Sequence, residues 1–383
     1  MPNTAIYILS RAVRRPTVLR TGLLPVFMVL FTALAPLSGQ VEWTGVERVV
    51  AIGDVHGDYP GFLEVLRSAG LIDQKEKWIA GKTHLVQTGD VTDRGPASKK
   101  VMDLLMSLEK QAAKAGGHVH ALIGNHEAMN LYGDLRYTSP GEFAAFRTGD
   151  SEQVRAAFWE QESKTLSPPP DEAARKKWET EHPLGWFEHR LQFGPKGTYG
   201  KWIRSHQAVV KINDVIYLHG GISPRFATTP LNQINETITA QLNDFSKIKV
   251  DSPVTAEDGP LWYRGLAEID GPEMEQHIDQ VLAANGVKHI VIGHTPTAGA
   301  VLPRFDGKVI QIDAGLTAGY GSHRACLLWE GGQFYALHRG EKIPLPGNAE
   351  LMAYLKKVLS LEPSGSLLAK YVSDLEAARA EVR

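Results

Sequence analysis

The stretch Val49-Val50-Ala51-Ile52-Gly53-Asp54-Val55-His56-Gly57-Asp58 decides how this chain is read. Its four apolar residues form a short buried strand. An acid and an imidazole follow, two residues apart, between glycines that let the backbone turn and a ligand approach. The same grammar returns four times. Residues 84–88 lead into Gly89-Asp90-Val91-Thr92-Asp93-Arg94-Gly95, and 118–123 lead into Gly124-Asn125-His126-Glu127. Residues 215–218 precede His219-Gly220-Gly221, and 289–292 precede Gly293-His294-Thr295. In α/β folds the loops at strand ends share one rim of the sheet, where ligands bind. One Gly-Asp pair after a strand is usually a turn; five such loops together spell a metal and phosphate site.

Composition narrows the class. The chain has 383 residues and a formal charge of −2, enough length for one large or two modest domains. No basic excess points to nucleic acid, and no acidic block forms a tail. The lone cysteine, Cys326, excludes a disulfide framework, and without clustered thiolates iron-sulfur and structural zinc sites fall away. At the N-terminus, Arg11, Arg14, Arg15 and Arg20 form a basic segment without acids, followed by a nearly all-apolar run over 22–37 and then Ser38-Gly39-Gln40. That is the order of a signal peptide. The expectation is that residues 1–39 are an export signal or an N-terminal membrane anchor, placing the protein in a bacterial periplasm. Arg14-Arg15 invites a twin-arginine reading. A buried core helix and an organelle presequence are the rival readings.

Strands over 49–52, 84–88 and 118–123 alternate with helices that run from Pro60 to Gly70 and from Pro96 to about Ala115, giving β-α-β-α-β. Residues 42–46 read as a lead-in segment. From 130 to about 205 the pattern becomes polar and partly helical, punctuated by Phe143, Phe146, Phe158, Trp159, Trp178, Trp186 and Phe187. It reads as a helical insertion beside or over the site, with Arg136, Tyr137, Arg147 and Arg155 as phosphate contacts to test. Residues 208–212 and 215–218 form a hairpin across Asn213-Asp214. Later strands over 289–292, 309–312, 325–329 and 334–337 succeed one another largely without helices. That predicts a second sheet, hence a β-sandwich flanked by helices. Helices over 350–358 and 368–380 make a C-terminal extension, 346–383, whose role the sequence does not state.

Asp and His are oxygen and nitrogen ligands for divalent transition ions. Asp54 and His56 reach one ion, Asp90 has two oxygens with which to bridge two, and Asn125, His219 and His294 complete the second. Two ions about 3.5–4 Å apart hold a hydroxide and grip phosphate oxygens, so no nucleophilic side chain is needed. Manganese, iron and zinc all suit such ligands, with manganese the expected ion in vitro. The Arg94 fork suits phosphoryl oxygens. His126, oriented by Asp93, would protonate the leaving oxygen. His84, His118, His120 and His289 lie on or beside strands and read as structural.

These motifs resemble the phosphoprotein phosphatase family of binuclear metallophosphoesterases, over about 49–329. The resemblance implies an α/β fold, a four-layer α-β-β-α calcineurin-like sandwich with a helical insertion over about 130–205, in a catalytic domain spanning 40–345. It assigns Asp54, His56 and Asp90 to one ion, and Asp90, Asn125, His219 and His294 to the other. His126 with Asp93 is the proton-donor pair, and Arg94 holds phosphate. Arg264, in Leu261-Trp262-Tyr263-Arg264-Gly265, is the best match to the family's second phosphate-binding arginine, and Tyr320 resembles its rim tyrosine. The insertion and the export-like N-terminus are most like the bacterial-type Shewanella-like branch. Members of that branch include enzymes acting on phosphotyrosine as well as phosphoserine or phosphothreonine, so the resemblance implies a phosphorylated peptide or protein, or a small phosphoester, as partner, and the charge balance points to no nucleic acid. The rival readings are hydrolysis of small phosphomonoesters or dinucleoside polyphosphates, and a non-enzymatic metal-stabilised binding protein. A cysteine phosphatase is excluded, because Gly332 stands where that chemistry needs an arginine after Cys326.

Overall fold

The computed structural model describes residues 39–381. The export segment expected over 1–39 lies outside them except for its last residue. Among the described residues, no helix is long and apolar enough to cross a membrane.

The first half runs β1 (Glu42–Trp43), β2 (Arg48–Ile52), α1 (Tyr59–Ser68), β3 (His84–Gln87), α2 (Ser98–Lys114), β4 (His118–Ala121) and α3 (Asn125–Tyr132). Helix α1 starts where Asp58 accepts a hydrogen bond from the Gly61 amide at 2.9 Å, with Pro60 in the first turn. It buries Phe62, Leu63, Val65 and Leu66 on one face and ends before Gly70, whose φ is +65°. Helix α2 buries Val101, Leu104, Leu105 and Leu108 at helical spacing. Residues 125–127 read as loop in the sequence, but they form the first turn of α3.

The insertion supplies α4 (Pro140–Ala144), α5 (Ser151–Ser163), α6 (Glu172–Glu181), α7 (Trp186–Phe193) and α8 (Thr198–Arg204). Its aromatics pack on one another, as in the stacked pair Phe158–Phe187 with centroids 4.0 Å apart. Arg190 of α7 donates to the carbonyls of Asn130 and Leu131, tying the insertion to the end of α3. The chain continues through β5 (Val209–Ile212), β6 (Val215–Leu218), α9 (Leu231–Asn243), α10 (Gly265–Glu268), α11 (Pro272–Asn285), β7 (His289–Ile292), β8 (Leu302–Arg304) and β9 (Val309–Gln311). Strands β10 (Ala325–Glu330), β11 (Gln333–His338) and β12 (Glu341–Pro344) precede α12 (Leu351–Leu359) and α13 (Leu367–Glu381).

Two six-stranded sheets result, ordered β12-β11-β10-β2-β3-β4 and β1-β5-β6-β7-β9-β8. Strand alternation makes the layers. Val50 and Ile52 join the core that includes α1 and α2, while Val49 and Ala51 join the one shared with Val210, Tyr217, Val291 and Ile310 of the other sheet. Helices therefore cover the outer faces of two sheets that pack on each other, the α-β-β-α sandwich. Each fully buried Leu, Ile or Val in these layers contributes about 1.5–3 kcal/mol. Leu355 and Val358 of α12 and Leu368 and Val372 of α13 belong to the inter-sheet core.

Two expectations need correction. The five site loops do not leave one sheet: β2, β3 and β4 are parallel neighbours in one, and β6 and β7 in the other. The lead-in segment is a strand, since β1 pairs parallel to β5 and carries Trp43 onto His84, His118 and His120 at centroid distances of 5.1, 4.4 and 5.3 Å. Those histidines are structural, as read.

Candidate metal centre

The strand ends of the two sheets bring Asp54, His56, Asp90, Asn125, His126, His219 and His294 into one buried cluster. Each carboxylate keeps one oxygen for the backbone. Asp90 Oδ1 accepts the His126 amide and Asp54 Oδ1 the His294 amide, both at 3.0 Å. Gly124 has no room for a side chain, because a Cβ there would lie 2.3 Å from Asp90 Oδ1. His56, Asp90, Asp93, Arg94 and His294 all hold positive φ, between 44° and 68°. Left-handed backbone at non-glycine residues costs about 1–3 kcal/mol each and persists where the surroundings enforce it, characteristically at functional sites.

The histidines reveal what the cluster is built to hold. His56 Nδ1 lies 2.9 Å from the Thr92 carbonyl, His219 Nδ1 2.9 Å from that of Thr88, and His294 Nε2 3.1 Å from that of Trp262. A carbonyl only accepts, so each of those nitrogens carries a proton, and in the neutral ring the opposite nitrogen is bare and free to bind a cation. The bare atoms converge. His219 Nε2 stands 2.8 Å from Asn125 Oδ1, 3.1 Å from His294 Nδ1 and 3.3 Å from Asp90 Oδ2. His56 Nε2 stands 3.7 Å from Asp90 Oδ2 and 3.8 Å from Asp54 Oδ2. Lone pairs aimed at one another without a proton between them repel unless a cation lies among them. Backbone carbonyls on the far ring nitrogens are also the usual orienting partners of metal-binding histidines. The donor set therefore fits two divalent cations sharing Asp90.

The electrostatics agree. Burial, then the charges of Asp313 and Asp90, push the Asp54 carboxyl well above the usual range. Burial would raise Asp90 too, but His219, His126 and His56 outweigh it and hold it well below. Burial takes His56 down to about 4 and, helped by His219 and Arg264, takes His294 well below its ordinary value. Buried carboxylates beside neutral imidazoles call for external positive charge.

Two groups of three ligating side chains have donor atoms within 4.8 Å of one another: His56, Asp90 and His126, and Asp90, His219 and His294. The calcineurin-like phosphoesterase family model matches residues 47–298, which carry every one of these residues. The chain belongs to the calcineurin-like phosphoesterases. It is 33% identical over 287 residues to an uncharacterized protein of Schizosaccharomyces pombe, covering 73% of this chain and 76% of that one. It is 28% identical to Shewanella-like protein phosphatase 2 of Arabidopsis thaliana, covering 73% and 74%. Among solved structures, a cold-active protein-tyrosine phosphatase of a psychrophilic Shewanella superposes with a TM-score of 0.63 at 30% identity, covering 82% of this chain and 86% of that one.

In this calcineurin-like phosphoesterase His126 differs from the other three histidines. Its Nδ1 faces a carboxylate, Asp93 Oδ2, at 2.7 Å, and its Nε2 lies 3.7 Å from Asp90 Oδ2. Burial lowers its pKa, but Asp90 and the Asp93 hydrogen bond outweigh burial and raise it. Burial thus prevails at His56 and His294 but is outweighed at His126. Asp54, expected as a direct ligand, falls outside both groups of three and stands at the edge of the first, beside His56. Arg94 is exposed at the mouth. Its Nη2 is 3.5 Å from His126 Nε2, its Nη1 donates to the Tyr320 hydroxyl, and its guanidinium lies over the rings of Tyr137 and Tyr320 at 5.1 and 5.2 Å. Arg264 lies at the second group's edge, donating to the His294 carbonyl at 2.9 Å and the Thr295 hydroxyl at 3.0 Å. Of the four insertion contacts, Tyr137 reaches the site. Arg136 is paired with Asp134, and Arg147 and Arg155 take no part in these contacts.

Two buried acids went unread in the sequence. Glu127 accepts from the amides of Asp90, Val91, Thr92 and Gly124 at 2.7–3.2 Å, fixing two site loops at once. A Glu three residues past a helix N-cap, here Gly124, is a signal that would have found it. Asp313, just past β9, is raised to about 6 by burial; as a lone aspartate it left no signal.

Proposed function

We propose that this chain is a metal-dependent phosphomonoesterase acting on phosphorylated proteins or peptides. One observation carries the reading: the bare donor atoms of His56, His219, His294 and Asn125 converge on Asp90, beside a His126–Asp93 pair at 2.7 Å. His56, Asp90 and Asp54 would hold one cation, and Asp90, Asn125, His219 and His294 the other. When bound, two divalent cations supply Lewis-acid stabilisation of phosphoryl oxygens and an ionised water at neutral pH. The chain's own residues do the rest. The exposed Arg94 fork binds phosphoryl oxygens, and Arg264 stands ready on the second ion's side. His126 gives its proton to the leaving oxygen while Asp93 fixes its ring.

A protein substrate is supported by the open mouth, where Arg94 and Tyr137 are exposed, and by the relatives described as protein phosphatases. The oxygen and nitrogen ligands suit manganese, iron and zinc alike, and we take manganese for reconstitution in vitro. The test is a panel with reconstituted protein: phosphotyrosine and phosphothreonine peptides, small phosphomonoesters and dinucleoside polyphosphates. Phosphopeptides should turn over fastest. Preference for dinucleoside polyphosphates would overturn the substrate class, and no cleavage by protein carrying two ions would overturn the activity.

A further inference from the structure

We propose that Glu362, in the C-terminal extension, is a positioning residue that holds the Tyr320 loop at the mouth of the metal centre through His323. Glu362 lies in the turn between α12 and α13, and its side chain is 0% exposed. Both carboxylate oxygens are engaged. His323 Nδ1 donates to Oε2 at 2.8 Å, and His338 Nε2 donates to Oε1 at 2.7 Å. Arg339 spans the pair, with Nε to Oε1 at 2.8 Å and Nη2 to Oε2 at 3.3 Å. A buried carboxylate persists only when so paired. Burial alone would raise its pKa, but the hydrogen bonds from His338 and Arg339 and the charge of His323 bring it down to about 2.

The His323 ring is the other end of the bolt. It is 1% exposed and wedged between two glycines: a Cβ on Gly299 would lie 2.4 Å from it, and one on Gly321 2.3 Å. Gly299 is five residues past His294, and Gly321 is next to Tyr320. One imidazole thus braces the loop that carries a metal-site histidine and the loop that carries the rim tyrosine. The second loop, 312–324, joins β9 to β10: its first part is buried and tied back, with the Ile312 amide on the Ile292 carbonyl at 2.9 Å and the Thr297 amide on the Asp313 carbonyl at 2.8 Å, while its tip, 318–322, stands outside the core. Short internal contacts shape it, from the His323 amide to the Gly315 carbonyl at 3.1 Å and from the Ser322 amide to the Thr317 carbonyl at 3.0 Å. Arg339 Nη2 also donates to the Ser322 carbonyl at 3.3 Å. A tip so lightly tied opens locally unless it is docked. At its tip the Tyr320 hydroxyl takes a hydrogen bond from Arg94. Glu362 therefore presets Arg94, removing ordering cost that substrate binding would otherwise bear.

The kinetic part rests on the phosphatase reading; the structural part does not. The experiment uses the full chain with manganese and compares wild type, Glu362→Gln, Tyr320→Phe and the double variant. Hydrogen exchange over 314–323 should quicken about tenfold in Glu362→Gln, with 84–95 unchanged and two ions still bound. KM for a phosphotyrosine peptide should rise about fivefold, the scale of one net hydrogen bond, while kcat stays within about twofold. In the Tyr320→Phe background that rise should largely vanish. Unchanged exchange over 314–323, or full additivity with Tyr320→Phe, overturns the inference. If Glu362→Gln does not fold, Glu362→Asp, with the charge kept and the reach shortened, is judged by the same readouts. A wild type that splits no phosphoester sinks the phosphatase reading while the exchange result still decides the positioning role.

Discussion

His126 meets Asp93 at 2.7 Å between Nδ1 and Oδ2, and the other Asp93 oxygen takes the Thr138 hydroxyl at 2.8 Å. The imidazole is thus fixed from behind, and its Nε2 faces the Asp90 carboxylate and Arg94. His126 also falls within the first group of possible metal ligands, so geometry offers it two roles. A proton donor and a ligand respond differently to deletion. His126→Asn is expected to keep two ions per chain by elemental analysis. It should slow alkyl phosphoesters about 10²–10⁴-fold, the range for one acid-base group, and nitrophenyl phosphate much less. Loss of one ion would make it a ligand, and equal loss on both substrates would remove the donor role.

Asp90 is the residue on which both halves of the centre depend. Its Oδ2 faces His56, His126 and His219 at 3.7, 3.7 and 3.3 Å. Asp90→Asn keeps the volume but removes the charge and leaves an amide donor among bare nitrogens. The variant should bind at most one ion and lose on the order of 10³-fold or more in kcat, since electrostatic stabilisation is the largest catalytic effect of such sites. Full activity with two ions bound would contradict the shared carboxylate.

Arg94 lies between two tyrosines from distant parts of the chain, Tyr137 of the insertion and Tyr320 of the β9–β10 loop. Its amide also donates to the Tyr137 carbonyl at 2.9 Å. Arg94→Ala should raise KM and lower kcat together, because the fork grips oxygens whose charge grows in the transition state. Tyr137→Ala should act mainly on KM by loosening the guanidinium, by about threefold to tenfold if the stacking is worth roughly 1 kcal/mol. Steady-state kinetics with a phosphotyrosine peptide separate the two.

Much of this was legible in the sequence because short apolar strands end in Asp, Asn or His, and one-dimensional order records that. The hairpin across Asn213-Asp214 and the helix that begins at Pro60 and ends at Gly70 carried their signals locally. Sheet order did not. β1 pairs with β5 some 170 residues on, and no local pattern announces it. β8 and β12 escaped notice because Pro303 and Pro344 sit inside them, and proline demotes a strand that turns out to lie at a sheet edge. The Glu362 hub was unreadable for a similar reason, since its partners His323, His338 and Arg339 come from two other segments.

Glu127 makes a sharper demand on stability than its silence in the sequence suggests. It accepts from four backbone amides and the Thr92 hydroxyl, all in the buried loops that carry Asp90 and Asn125. Removing the acceptor strands buried donors at about 1–3 kcal/mol each. Glu127→Ala should therefore lower stability by several kcal/mol, and Glu127→Gln, which keeps one acceptor oxygen, by less. Metal affinity should fall about 10–100-fold in Glu127→Gln, the usual effect of disturbing the groups behind the ligands. Denaturant titration and metal competition check both.

Acid titration offers an independent view of the C-terminal hub. The Glu362 carboxyl is held at about 2 in the folded chain and returns to about 4.3 when unfolded. The unfolded state then binds the proton first, so what this group contributes is complete above the ordinary carboxylate range and is lost as pH falls toward 2. Glu362→Gln removes that contribution at every pH. The two Tm curves should lie far apart at pH 6 and converge between about pH 4.5 and 2. The metal-site carboxylates also titrate in acid, but they do so in both proteins and drop out of the difference; His323 does not, because burial lowers its imidazole and Glu362 opposes that lowering, so its titration adds to the difference. A separation that persisted unchanged to pH 2 would mean that the ionised carboxylate is not what holds α12 and α13 to His323, His338 and Arg339.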